Sequence, residues 1–267
     1  MSFYVKKENG NLIFKDCGGY ESRNPSTIWC ITEADKIYKW KDLNEIKIFT
    51  TDFEYNETLY AYSNTSLSFK NLVPDFNFHA WKEIGINDYD ETIKQSDELG
   101  RQPYSLHKVG WIGNINTNAI RKEGLKIGDK NPELFDMYDC GNWWSNGQVK
   151  LQSKKYISLP ELIQTYSILI DFPGAGFSAR VKHLLWSHRP LLLVNRVTKE
   201  YFYEYLKEWE HYIPVKSDLS DLVEKAQWCI DNYDKAKIIA ENAYEFSKKY
   251  LTREACYKRW DEVISVL

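Results

Sequence analysis

The sequence lacks the features of a disulfide scaffold, a zinc site or a membrane protein. Its five cysteines are odd in number and widely spaced, with no C-x-x-C pair. No window approaches the roughly 20 apolar residues of a membrane-spanning helix. The N-terminal residues show no signal-peptide pattern, and Ile264–Leu267 are not an ER-retention tail. We therefore expect reduced thiols, no transmembrane segment and a cytoplasmic location.

Neither sign of charge dominates the chain. It has 35 Lys and Arg against 38 Asp and Glu, a formal net charge of -3. This balance provides no general attraction for nucleic acid or an anionic membrane, so a phosphate-bearing ligand must be held by a few placed cations. Aromatic residues make up 15% of the chain. Their rings fit either a packed core or a cleft that binds the C–H faces of a sugar.

Several ligand-binding motifs are also missing. The chain contains neither a Walker loop nor a G-x-G-x-x-G fingerprint, and its five histidines show no metal-ligand spacing. One D-x-D string, Asp88-Tyr89-Asp90, lies in a polar segment and not at a strand end, so we discount it as a metal site. We expect no metal and no cofactor.

The pattern of apolar residues divides the chain in two. Residues 1–40 are irregular, 46–51 alternate as a half-buried strand does, and 84–105 are polar with turn residues. We place a boundary in that polar segment, which gives an N-terminal domain, 1–104, and a C-terminal domain, 105–267.

Strands and helices alternate in the second domain. We predict strands at 108–112, 166–172, 190–194 and 211–215, and helices at 117–126, 179–188, 199–209, 218–231, 235–250 and 253–266. This order is typical of an α/β fold with a parallel sheet. Ligands bind such sheets at the carboxyl ends of the strands.

The turn after the second of these strands is a candidate phosphate site. Gly174 and Gly176 let a ligand approach the backbone closely, and the helix that follows offers free amides and a positive dipole end. Ser178 can cap that helix or donate to a phosphate. Arg180 and Lys182 are cations in its first turn, which opposes the helix dipole and therefore indicates a site. An ordinary turn with solvated cations is the alternative.

A second loop fits the same site. Gly113 and Asn114 follow a predicted strand, and Arg121 lies on the next helix. Arg121 and Arg180 can together clamp a diphosphate, which suits the guanidinium fork.

Other candidate residues lie in the predicted N-terminal domain. Asp52 follows the strand at 46–51, where a carboxylate can accept a proton from a hydroxyl group; a turn-forming Asp is the alternative. Phe78, His79 and Trp81 belong to an aromatic run that can line an acceptor cleft or fill a core.

A family resemblance rests on particular strings. FSARVKHL (177–184) is followed by EYFY (200–203) and by HYIPVKSDLS (211–220). Upstream, Gly113 with Arg121 and the strand ending at Asp52 occur in the matching order. Together these resemble the Rumi-like protein O-glucosyltransferases of glycosyltransferase family 90, which includes the capsule-associated xylosyltransferase-like proteins. The resemblance covers roughly residues 45–265.

The resemblance implies a GT-B-type α/β architecture, with two Rossmann-like domains facing across a cleft and a last helix, about 253–266, that packs back on the N-terminal domain. It implies an inverting, metal-independent glycosyltransferase that moves glucose or xylose from a UDP-sugar co-substrate to a hydroxyl of a glycan acceptor. Asp52 is then the catalytic base. The residues expected to bind the UDP-sugar are Gly113, Asn114, Arg121, Gly174, Gly176, Phe177, Ser178, Arg180 and Lys182.

Two other interpretations remain open from the sequence. One is a catalytically inactive relative that binds a nucleotide or glycan as a scaffold. The other is a different nucleotide-dependent α/β enzyme, such as an epimerase or a kinase. The sequence does not specify the sugar or the oligomeric state.

Overall fold

A computed structural model describes residues 1–19, 22–66, 68–141 and 157–266. The chain forms two compact units, and each is built from more than one stretch of sequence. The first unit contains Met1–Asp90, Val197–Tyr205 and Lys249–Leu267. The second contains Glu91–Arg196 and Leu206–Lys248. The sequence had instead indicated a single division, between residues 104 and 105.

The first unit contains a mixed four-stranded sheet. Its strands are β1 (Ser2–Glu8), β2 (Asn11–Asp16), β3 (Leu43–Phe49) and β4 (Tyr60–Ala61), in the order β2-β1-β3-β4. Strand β1 is antiparallel to β2 and β3, and β4 is parallel to β3. Asn9 and Gly10, both with positive φ, form the two-residue turn of the β1–β2 hairpin. The prediction of an irregular segment over residues 1–40 was therefore wrong, because an Asn-Gly hairpin signal was overlooked.

Two helices and a short ribbon complete this unit. Helix α1 (Arg23–Tyr38) packs against α8 (Arg253–Ile264), and the Trp40 indole N–H donates to Asp261 of α8 at 2.8 Å. Strands β5 (Ser63–Asn64) and β10 (Lys199–Glu200) form an antiparallel pair.

The helix predicted at 199–209 is not present. After β10, residues Tyr201–Glu204 make a single 3-10 turn, and the Tyr201 and Phe202 rings are buried. Burial of these adjacent rings and pairing of β10 with β5 outweigh the local helical pattern.

The second unit contains an open, all-parallel sheet. Its strands are β6 (Leu106–Gly113), β7 (Phe135–Asp139), β8 (Tyr166–Asp171), β9 (Leu191–Val194) and β11 (Ile213–Val215). Their order is β11-β9-β8-β6-β7, and every adjacent pair is parallel. The predicted α/β class is thus confirmed. Because β7 and β8 lie on opposite sides of β6, strand order reverses beside β6 and β8, where such sheets bind ligands.

The remaining helices are α2 (Tyr89–Gly100), α3 (Ala119–Lys130), α4 (Leu159–Thr165), α5 (Val181–Leu185), α6 (Leu222–Asp231) and α7 (Tyr233–Tyr250). Helix α2 lies in the segment predicted as a polar linker, which is polar because much of the helix is exposed. Helix α3 approaches the sheet closely at Gly124, where a Cβ atom would lie 2.5 Å from the Phe172 ring.

Candidate functional site

A buried carboxylate lies at the carboxyl end of the central strand β8. Asp171 is completely buried. Its Oδ1 accepts hydrogen bonds from the Ser178 hydroxyl at 3.0 Å and from Arg180 Nη2 at 3.1 Å. Its Oδ2 accepts from Arg196 Nη1 at 2.8 Å, and its backbone carbonyl accepts from Arg196 Nη2 at 3.0 Å. Asp171 therefore joins the loops that follow β8 and β9.

A third arginine joins this edge of the sheet from helix α3. Arg121 Nε donates to the carbonyl of Pro173 at 2.9 Å, and its Nη1 donates to the carbonyl of Asn114 at 3.1 Å. Asn118 caps α3 and donates its side-chain amide to the carbonyl of Gly174 at 2.9 Å. The first turn of α3 thus holds together the two loops predicted to share a site.

Positive charge exceeds negative charge within this cluster. Three guanidinium groups, of Arg121, Arg180 and Arg196, surround the one carboxylate of Asp171, a net charge of +2 for these four side chains. Burial, followed by the charge of Arg180, lowers the pKa of Arg121 to about 10. Burial alone would raise the pKa of Asp171, but Arg196 and Arg180 outweigh it and lower that pKa. An anion placed here would relieve the repulsion among the arginines.

The most accessible of the three arginines is Arg180. Its side chain is 19% exposed, against 2% for Arg196. Arg180 Nη1 donates to the carbonyl of Ile112 at 2.6 Å, so the guanidinium bridges the ends of β6 and β8. The guanidinium carbons of Arg121 and Arg180 lie 5.7 and 6.0 Å from the centroid of the buried Trp111 ring. Both groups therefore make cation–π contacts with this ring.

The predicted glycines lie where the backbone is crowded. A Cβ atom on Gly174 would lie 2.7 Å from the Phe177 carbonyl oxygen, and one on Gly113 would lie 2.5 Å from the Trp111 ring. Gly176, Phe177 and Asn114 are buried in the same loops. Glycine is therefore required at positions 113 and 174 by the fold itself.

The predicted helix at 179–188 is much shorter in the structure. Helix α5 has five residues, and its N-cap is Arg180, with no side-chain capping bond. Of the two roles that the sequence allowed Ser178, capping this helix or donating to a phosphate, the first is not observed, because its hydroxyl donates to Asp171. Lys182 is completely buried and donates to the carbonyl of Ala179 at 3.2 Å. Because α5 is so short, we attribute the positive charge of this edge mainly to the arginines.

Asp52 lies in the first unit, three residues beyond the end of β3. Its Oδ1 accepts from Arg23 Nη2 at 2.7 Å, and Arg23 Nη1 donates to the carbonyl of Thr50 at 3.0 Å. The Asp52 side chain is 28% exposed, whereas that of Arg23 is 7% exposed. Arg23 therefore fixes the orientation of a carboxylate that remains accessible to solvent.

The aromatic run around His79 is mostly core. Phe78 is completely buried and packs against Tyr89 and Tyr201, which favours the core over the acceptor cleft, the two alternatives that the sequence left open for it. His79 stacks on Trp29 with ring centroids 4.3 Å apart, and burial, followed by the charge of Arg253, lowers its pKa. His79 and Trp81 are only partly buried.

The D-x-D string has an internal partner. Arg253 of α8 donates to Asp88 at 2.7 Å and to Asp90 at 2.8 Å. Across the described ranges, no group of three or more His, Cys, Asp or Glu is arranged to hold a metal ion. None of the helices described here combines the length and apolar character that a bilayer crossing requires.

Sequence reasoning did not find Asp171, Arg196 or Arg23. Asp171 is the last residue of β8 and lies within the strand predicted at 166–172, and Arg196 follows β9 by two residues. Applying the strand-end rule to every strand would have identified both. Arg23 lies in the segment that the resemblance does not cover.

These observations define an α/β protein with a cationic site where the strand order of its parallel sheet reverses. The family model described as "Glycosyl transferase family 90" matches residues 37–266, and the chain belongs to this family. Membership and the parallel sheet of the second unit together support the GT-B-type class predicted from the sequence.

The chain is also similar, over part of its length, to individual proteins and solved structures. The chain is 33% identical to human "Protein O-glucosyltransferase 1" over 164 residues, which are 60% of this chain and 41% of the human protein. It is 54% identical to "Uncharacterized protein 179R" of Invertebrate iridescent virus 6 over 103 residues, 36% of this chain and 9% of the viral protein. The solved structure of TarM is similar over 61% of this chain and 36% of TarM, with a TM-score of 0.46 and 12% identity. The chain thus spans about two fifths of the human relative's length.

Proposed function

We propose that this protein is an inverting glycosyltransferase that moves glucose or xylose from a UDP-sugar to a hydroxyl of a glycan acceptor. The observation that carries the proposal is a cluster of three arginines around one carboxylate, where the strand order of the parallel sheet reverses. The two linked phosphates of a nucleotide sugar carry negative charge that complements it. The name of the human relative, a protein O-glucosyltransferase, supports sugar transfer and favours glucose.

In the proposed reaction, the acceptor oxygen attacks the anomeric carbon as the bond from that carbon to the UDP oxygen breaks. The UDP leaves with the bonding electron pair, and the acceptor proton passes to Asp52. Attack from the face opposite the leaving group inverts the anomeric configuration. Arg180 stabilises the charge that develops on the leaving phosphate, and Arg121 adds to the positive potential.

The role of Asp52 as base agrees with its setting in the first unit. The ion pair with Arg23 holds one carboxylate oxygen, Oδ1, while more than a quarter of the side chain stays exposed. A general base needs both a fixed orientation and access to the proton it accepts.

The test is calorimetric titration of UDP and GDP, each with and without EDTA, followed by a turnover assay with UDP-glucose and UDP-xylose. We expect micromolar UDP binding that is selective over GDP and unchanged by EDTA, with release of UDP when a suitable glycan is added. Absence of UDP binding, or binding that requires a divalent cation, would contradict the proposal. UDP binding with no turnover of either donor on any glycan tested would favour a catalytically inactive scaffold.

A further inference from the structure

The ion pair of Asp171 and Arg196 is more deeply buried than the rest of the cationic site. The Asp171 side chain is 0% exposed and the Arg196 side chain 2% exposed. Arg196 donates to Asp171 through two nitrogens, and its Nε donates to the carbonyl of Val194 at 3.1 Å. All three nitrogens of the Arg196 guanidinium group therefore donate hydrogen bonds within the protein.

The two oxygens of the Asp171 carboxylate have different partners. Oδ2 is bonded to Arg196, whereas Oδ1 accepts from Ser178 and Arg180, the latter through both Nε and Nη2. Arg180 and Ser178 are the residues of this cluster that come from the turn after β8. Arg196 thus contacts the oxygen that they do not use.

The charges of these residues explain why Asp171 has a second arginine partner. If Asp171 were paired with Arg180 alone, the carboxylate would neutralise the arginine that is needed to bind an anion. With Arg196 on the opposite oxygen, the carboxylate has a dedicated counter-ion, and Arg180 keeps its charge for a ligand. The same carboxylate still fixes the orientation of the Arg180 fork through two hydrogen bonds.

We propose that Asp171 and Arg196 are positioning residues that orient Arg180 and Ser178 for a diphosphate without contacting it themselves. This inference rests on the proposed function for the identity of the ligand as a nucleotide sugar. It goes further by assigning roles to two residues and by requiring that those roles be coupled through their opposite charges.

The experiment compares wild type, Arg196→Gln and the double variant Asp171→Asn/Arg196→Gln. The net charge summed over positions 121, 171, 180 and 196 is +2 in wild type, +1 in the single variant and +2 again in the double variant. Calorimetry measures Kd for UDP and, separately, for inorganic pyrophosphate, and thermal unfolding monitors folding. The exposed neighbour of Arg121 provides a control, Lys122→Ala, for the loss of a surface cation.

We expect Arg196→Gln to raise both Kd values roughly tenfold or more, because one buried charge is lost near the ligand. The double variant should recover to within about threefold of wild type, because charge balance and an amide hydrogen bond are restored. Lys122→Ala should leave both Kd values within about twofold, since an exposed charge is screened.

Three results would overturn the inference. A double variant as weak as Arg196→Gln would make Arg196 a direct ligand of the phosphates. Unchanged Kd values in Arg196→Gln, with only the melting temperature lowered, would make the pair purely structural. Failure of the wild type to bind either probe would remove the anion site altogether. If the wild type binds pyrophosphate but not UDP, the proposed function fails while the pyrophosphate series still decides the positioning role.

Discussion

Two glycines on one face of helix α3 should respond to alanine in opposite ways. Gly124 and Gly128 are four residues apart, and both are buried against the second unit's sheet. At Gly124 a new Cβ would lie 2.5 Å from Cε1 and Cζ of Phe172. That ring is completely buried and packs edge-on against Trp111, with centroids 5.3 Å apart, so it has little room to move. At Gly128 the nearest atom would be the sulfur of Met137, at 3.4 Å.

Two opposing terms set the expected free energies of unfolding. Replacing glycine by alanine inside a helix gains about 1 kcal/mol in both variants. Forcing a methyl group into a filled core costs about 1–3 kcal/mol, which applies at Gly124 only. We therefore expect Gly124→Ala to be less stable than wild type by about 1 kcal/mol. Gly128→Ala should be more stable by up to about 1 kcal/mol, because the new methyl group makes an ordinary contact with a flexible methionine.

Urea denaturation at 25 °C, followed by far-UV circular dichroism, measures both variants against wild type. The comparison is internal, because both substitutions are the same chemical change on the same helix. A Gly124→Ala variant at least as stable as Gly128→Ala would refute the reasoning, since it would show that the approach of α3 to Phe172 is not rigid.

Three further predictions concern charge. Arg180→Ala should weaken UDP binding by roughly 1.5–3 kcal/mol by calorimetry, the value of a charge-assisted hydrogen bond, whereas Lys122→Ala should not. Asp52→Asn should lower the rate of sugar transfer at least about a hundredfold and leave UDP affinity nearly unchanged. Burial, followed by the charge of Lys182, lowers the pKa of His183 to about 3. The unfolded chain then binds the extra proton, so stability should fall from pH 7 to pH 5, and less steeply in His183→Gln.

Each of these has a contrary outcome. Equal UDP affinity in Arg180→Ala and wild type would exclude Arg180 from the site. Wild-type turnover by Asp52→Asn would exclude it as the base. A pH dependence of unfolding identical in His183→Gln and wild type would show that His183 is not buried in its neutral form.

The sequence predicted the second unit better than the first because its central strands, β8 and β9, are buried on both faces. The run Tyr166–Asp171 is buried throughout and has apolar or aromatic residues at four of its six positions, and such runs identify central parallel strands. The last three helices were predicted to within a few residues because each has a clear apolar stripe. In the first unit, β1 and β2 pair through an Asn-Gly turn, and each strand has only a short apolar run followed by charged residues, which gives a weaker signal.

The candidate site was predicted only in outline, for a physical reason. Glycine and arginine types at strand ends indicate where an anion can bind, and these came from the sequence. Which partner each side chain takes depends on the alignment of separate strands. Ser178 illustrates this, because its hydroxyl can equally cap a helix or donate to a carboxylate, and only the position of Asp171 decides between them.

The way the two units share the chain has a practical consequence for protein engineering. The first unit takes its sequence from three separate stretches, the second of which is only nine residues long, Val197–Tyr205. A hybrid protein made by joining the front of one relative to the back of another would therefore divide the first unit between the two parents wherever the single junction is placed. A hybrid that exchanges the second unit alone has to replace Glu91–Arg196 and Leu206–Lys248 together and retain the short native segment between them. Deleting the C-terminal helix α8 would likewise remove part of the first unit, including Arg253, which forms ion pairs with Asp88 and Asp90.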